Sequence, residues 1–268
     1  MPRRRAAGVA ALLLAALSLL LADAPARAEP REVTQRRQAE RKHFSDAEIA
    51  DGLFRVAFGA EFHVAGRVDR IRKYDGPVRV FIDRRGGPDR GAQIAAVVAD
   101  IGRHIRHLDI ALVNEREAAN VIVTVVPDRR FRRTLAELFG REKTQALRKV
   151  LDPQCLSGFR KDDDYRIQHS DVVLVGDVDA FTFLDCAYEE LLQALGPIND
   201  TDKVPWTMFN DDVRMGFFDV YDQHLLNILY DPRVRPGMTA PEVRALLPQV
   251  LPDVREWVSR AKTGAVLH

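Results

Sequence analysis

Residues 189–200 read Glu189-Glu190-Leu191-Leu192-Gln193-Ala194-Leu195-Gly196-Pro197-Ile198-Asn199-Asp200, which gathers three carboxylates and two amides into one short segment. Read as a helix, the segment places Glu189 and Gln193, four residues apart, on one face. Leu184, Tyr188, Leu191 and Leu195 then form a buried stripe on the opposite side. Gly196 supplies the left-handed turn that ends such a helix, and the chain returns Asn199 and Asp200 toward Glu189 and Gln193. Paired carboxylates in different environments can divide acid and base roles. Carboxylate and amide oxygens suit a hard cation such as calcium, whereas neutral amides bind zinc poorly. The plain alternative is a solvated helix face, on which a Glu-Glu pair needs no function. Downstream, Asn210-Asp211-Asp212 reads as a polar turn with Asx capping; joined to Asp200, the same residues would offer calcium a set of oxygens.

The elements that must position this segment follow from patterning. Ser45 and Glu48 have capping-box spacing and open a helix to about residue 58. Residues 78–82 alternate as a strand. The loop 83–90 carries Gly86-Gly87 but no Lys-Ser/Thr of a phosphate loop, so it reads as an ordinary turn. A helix is expected at 91–104, strands at 109–113 and 120–126, an inserted helix at 131–149, and a strand at 166–175. Asp177 or Asp179 starts the helix that carries Glu189. Helices at 218–230 and 240–262 close the chain, the last with a Thr239/Glu242 capping box. The order defines an α+β fold, a mixed sheet with packed helices and a helical C-terminal part. Arg129, Arg130, Arg132 and Arg133 read as a solvated helix start, with an anionic-ligand site as the alternative. His104 and His107, three apart near a helix end, read as exposed or capping residues rather than metal ligands.

The 189–200 segment resembles the long zinc motif of the metzincin peptidases, H-E-x-x-H-x-x-G-x-x-H followed by Asp. Here the pattern is E-E-x-x-Q-x-x-G-x-x-N-D. Glu189, Gln193 and Asn199 stand at the three histidine positions, Glu190 at the general base, and Gly196 and Asp200 at the glycine and the acid. Trp206-Thr207-Met208 resembles the methionine turn beneath the metzincin zinc, and Tyr221-Asp222 with Ile228-Leu229-Tyr230 resembles the closing helix. The resemblance implies a metzincin-like mixed sheet and a vestigial site at Glu189, Glu190, Gln193, Asn199, Asp200 and Met208. It also implies loss of the metal: without zinc the attacking water keeps a pKa near its bulk value of about 15.7 instead of about 7. The chain further resembles a bacterial family catalogued as domain of unknown function 2927, through Tyr188-Glu189-Glu190, Gln193-Ala194-Leu195-Gly196, Asn199-Asp200, Phe209-Asn210-Asp211-Asp212 and Leu229-Tyr230-Asp231-Pro232-Arg233.

The N-terminus reads as an export signal. Arg3, Arg4 and Arg5 precede an apolar run over 6–22, and Ala26-Arg27-Ala28 offers small residues where a signal peptidase cuts. Cleavage after Ala28 leaves 36 basic against 38 acidic residues, a balance unlike that of a nucleic-acid-binding domain. No stable membrane span is expected after cleavage. In an oxidising compartment the two cysteines, Cys155 and Cys186, are most simply a disulfide. The organisation expected is a signal peptide at 1–28, a flexible lead-in at 29–43, a metzincin-like domain at 44–235 and a C-terminal helical extension at 236–268. The function expected is that of a periplasmic or secreted pseudopeptidase, without metal or other cofactor, that binds a peptide or an envelope protein. The alternative is a hydrolase using Glu190 with carboxylate partners and a calcium or zinc ion.

Overall fold

The computed structural model of the chain describes residues 29–58, 69–142, 144, 154–197 and 199–262. The expected signal peptide, and most of the second half of the helix expected at 131–149, lie outside the described residues. In chain order the elements are α1 (Arg31–Ala39), α2 (Asp46–Ala57), β1 (Val78–Arg84), α3 (Gly91–His104), β2 (Ile110–Leu112), β3 (Val121–Val126), α4 (Asp128–Phe139), β4 (Cys155–Lys161), β5 (Ile167–Val175), α5 (Ala180–Gln193), α6 (Val220–Leu229) and α7 (Ala240–Lys262).

The five strands form one sheet in the order β2-β1-β3-β5-β4. β2, β1, β3 and β5 run parallel, and β4 returns antiparallel along β5. β3, Val-Ile-Val-Thr-Val-Val, is buried at every position, as a central parallel strand covered on both faces must be. Alternate side chains therefore feed two cores. Val123, Val125, Val172 and Leu174 join the main core with the helices. Val126, Val173 and Val175 pack instead on Phe131 and Leu135 of α4 across the other face. This is an α+β arrangement with a mostly parallel sheet.

Several elements depart from the sequence reading. The segment 29–43, expected to be a flexible lead-in, contains α1. This helix buries Val33 and stacks Arg36 on Phe181 and Arg37 on Phe217, while Arg41 lies over Phe44 and Trp206. Its following residue, Glu40, accepts the Val220 N–H at the start of α6. Cation–π contacts and a capping carboxylate thus order a segment too polar to show an apolar stripe. α4 starts three residues earlier than expected, behind Pro127, and stops at Gly140, whose φ of +91° breaks the helix. β4 was absent from the sequence reading. Its residues Cys-Leu-Ser-Gly-Phe-Arg-Lys have weak strand propensity, and it exists as an edge strand because β5 offers it a register. The C-terminal helix, expected as an extension, sends Val243, Leu247, Val250, Leu251, Val254 and Val258 into the main core.

Candidate functional site

α5 carries the site, and three kinds of contact fix it. Asp179 caps its start, Oδ1 accepting the N–H groups of Phe181 at 2.9 Å and Thr182 at 3.0 Å. Midway, Cys186 is disulfide-bonded to Cys155 of β4, with Cα atoms 5.8 Å apart, as the pair of cysteines implied. At the end, Gly196 has φ +140°, and a Cβ there would lie 2.3 Å from the Arg72 carbonyl oxygen. Only glycine lets the chain leave the helix so close to that backbone. The expected stripe of Tyr188, Leu191 and Leu195 is buried, and Leu184 is half-buried.

On this helix Glu189 is half-buried, and Glu190 and Gln193 are buried. Gln193 Nε2 donates to Asp200 Oδ1 at 2.7 Å, and its Oε1 accepts from Ser157 of β4 at 3.3 Å. Carboxylate oxygens of Glu189, Asp200 and Asp211 lie within 4.8 Å of one another. Asp211 reaches them from a turn in which Asn210 Oδ1 accepts the Asp212 N–H at 3.0 Å and Asn210 Nδ2 donates to the Val204 carbonyl at 2.9 Å. The Asx turn and the convergence on Asp200 are therefore the same structure.

Carboxylates dominate the electrostatics around Glu189, although Asp185 is ion-paired with Arg214 at 3.1 Å. Burial raises the Glu189 carboxyl well above its ordinary pKa, and the charges of Glu190, Asp200, Asp185 and Asp211 push it the same way. Asp211 is raised by burial and by neighbouring Asp212.

Two sequence-named residues stand elsewhere. Asn199, expected beside Glu189 and Gln193, gives its amide to the Arg55 carbonyl at 2.7 Å and its main-chain N–H to the Val56 carbonyl at 3.2 Å. It therefore ties the loop to the end of α2, where carbonyls lack helical partners. Met208 is buried in the main core. Its turn is held by Asp222, which accepts Thr207 Oγ1 at 2.5 Å and the Met208 N–H at 2.7 Å. The sequence reading placed Asp222 in the closing helix but not beneath this turn, and it did not name Asp219. Both are fully buried, and burial raises both pKa values.

The donor set does not suit zinc. Imidazole is absent from the segment, and the amides of Gln193 and Asn199 are engaged with Asp200 and with the Arg55 carbonyl. Three carboxylates at this spacing suit a hard cation or an ammonium or guanidinium group. His104, in the last turn of α3, places Nδ1 2.8 Å from the Asp100 carbonyl and 3.3 Å from its carboxylate, which raises the imidazole pKa.

The protein is thus an α+β domain with an acidic cluster built on one disulfide-anchored helix. A family model described as Protein of unknown function (DUF2927) matches residues 46–249, and the chain belongs to that family. No curated protein and no solved structure matches the chain. No helix among the described residues is long and apolar enough to cross a membrane.

Proposed function

We propose that the protein is an exported binding module: a metzincin-like scaffold without zinc chemistry, whose cleft receives a cationic group of a peptide or an envelope protein. The observation that carries this reading is the trio of Glu189, Asp200 and Asp211, in which further carboxylates press on Glu189 and on Asp211. Such a cluster is complementary to a lysine or arginine side chain, and the attraction grows as water is excluded. The metzincin-like spacing of residues 189–200 and the turn at Met208 support the ancestry. The bond from Gln193 to Asp200 supports a site held together without metal. The signal-like segment 1–28 and the Cys155–Cys186 bridge suit the periplasm or the exterior.

Calorimetric titration of the oxidised chain beginning at Glu29 with tetralysine and tetraglutamate tests it. Tetralysine binding that disappears in the Glu189→Gln/Asp211→Asn variant is the expected result. Absent binding, or binding unchanged in that variant, would overturn the proposal, as would stoichiometric zinc with hydrolysis that depends on Glu190.

The raised pKa of Glu189 beside buried Glu190 favours one second reading, a hydrolase whose two glutamates split proton donor and acceptor roles, with calcium on the trio. Calcium-dependent turnover abolished by Glu190→Gln would select it.

A further inference from the structure

A second charged site lies outside the α5 cleft, where β1 runs into the loop before α3. Arg85 from that loop and Arg130, Arg133, Thr134 and Glu137 from α4 line a hollow of about 320 Å³. Among the described residues its lining holds three guanidinium groups against one carboxylate.

The arrangement is fixed by hydrogen bonds. Arg130 Nη1 donates to the Arg85 carbonyl at 2.9 Å, so one arginine is latched to the backbone of another. Arg133 Nε donates to Glu137 at 2.9 Å, and the same carboxylate lies 3.6 Å from Arg85 Nη1. Arg85 Nε reaches Asp83 at 2.9 Å. Gly86 and Gly87, with φ of +101° and +89°, let the loop bend against Pro127 and Arg130. Thr134 gives its hydroxyl to the Arg130 carbonyl at 3.1 Å, which leaves the arginines as the polar groups facing a ligand. Packing of Phe131 and Leu135 on the sheet holds α4 in place beneath them.

We propose that this hollow binds a phosphate monoester group. Its lining carries an excess of two positive charges, which a phosphate dianion neutralises. Guanidinium forks match phosphate oxygens in pairs, and Arg130 offers donors beyond the one bonded to the Arg85 carbonyl. Among the described residues no aromatic or large apolar side chain lines the hollow, so the charged group is recognised and the rest of the ligand projects into solvent. Such a group belongs to a soluble phosphorylated molecule or to a lipid headgroup. The inference is independent of the proposed role of α5.

The test uses the oxidised chain beginning at Glu29 at low ionic strength, with inorganic phosphate by calorimetry and phosphatidic acid vesicles by cosedimentation. Arg130→Gln/Arg133→Gln changes two exposed positions of α4, and circular dichroism checks that its fold is retained. Removing each charge-assisted hydrogen bond to the phosphate should weaken binding about tenfold, and binding should also fall as sodium chloride is raised. Glu137→Gln removes the competing carboxylate and should tighten binding about threefold or more at low salt. Phosphate binding abolished in the double variant supports the site with a soluble ligand. Vesicle binding alone, abolished in the same variant, supports it with a lipid headgroup. Absence of binding to both probes overturns the proposal, as does binding unchanged in the double variant or weakened in Glu137→Gln.

Discussion

Replacing Glu189 by Gln removes one ionisable carboxyl from the crowded cluster while keeping the size of the side chain. Like charges 4.8 Å apart, the spacing limit of the trio, repel by about 1 kcal/mol in water and about 3.5 kcal/mol at an effective dielectric of 20. Glu189 is half-buried and Asp211 exposed, so the gain expected from Glu189→Gln at pH 7 lies between those limits. The pH dependence has a definite sign. The folded-state pKa of Glu189 is raised, so as pH climbs past the unfolded value the unfolded chain releases a proton that the folded chain retains. Stability of the native sequence therefore falls from about pH 4.5 upward, until Glu189 ionises in the folded state as well. Urea unfolding of the oxidised protein, free of divalent ions, should show Glu189→Gln more stable at pH 7, with the gap closing toward pH 4. Equal or lower stability of the variant at pH 7, or a gap that does not change with pH, would refute the reasoning, because the carboxylates would then be screened or neutralised by partners.

Three further outcomes are expected. Gly196→Ala sets a Cβ 2.3 Å from the Arg72 carbonyl at a φ of +140°, and denaturant unfolding should show a loss of about 2 kcal/mol or more. Cys155→Ser/Cys186→Ser opens a loop with a sequence separation of 31. The chain-entropy relation gives a loss of about 3.7 kcal/mol, readable as a lower urea midpoint matched by reduction of the native protein. Expression behind the native N-terminus should yield an exported protein whose intact mass begins at Glu29, and retention of residues 1–28 on the exported chain would contradict the cleavage site.

What was legible in the sequence was local. The Ser45/Glu48 capping box forms as its spacing implied, with Ser45 N–H on Glu48 at 2.7 Å. The apolar alternation around Val172 and Leu174 is a strand. The α5 stripe and the turn at Gly196 are determined within a few residues, so their pattern survives in the linear text. The failures are tertiary. α1 has no apolar face strong enough to announce it, because its partners Phe181 and Phe217 come from distant parts of the chain. β4 depends on β5 for its register. Asn199 lies one residue before Asp200, and spacing alone offers no reason for one to turn to α2 and the other to Gln193. Asp211 was visible as a calcium candidate with Asp200, but its convergence with Glu189 depends on the fold of the intervening loop.

The carboxylate cluster sets repulsion against restraint. Carboxylates free to move would separate, so a cluster that opposes folding persists only where the surrounding structure over-determines it. α5 meets that condition. The disulfide holds it to β4 at Cys186, Ser157 and Asp200 clasp Gln193 two turns later, and Gly196 seats the end of the helix directly against the Arg72 backbone. The opposing wall is also fixed, since Thr201 N–H bonds the Phe209 carbonyl at 2.8 Å and joins the loop bearing Asp200 to the turn before Asp211. Restraint of this kind is a pre-organised preference for positive charge: a bound cation relieves the repulsion without first ordering the site. A cation at one hundred times its dissociation constant should then add about 2.7 kcal/mol to the native stability. The same cation should add little to Glu189→Gln. That coupling separates a site shaped for a cationic ligand from an acidic surface that merely tolerates one.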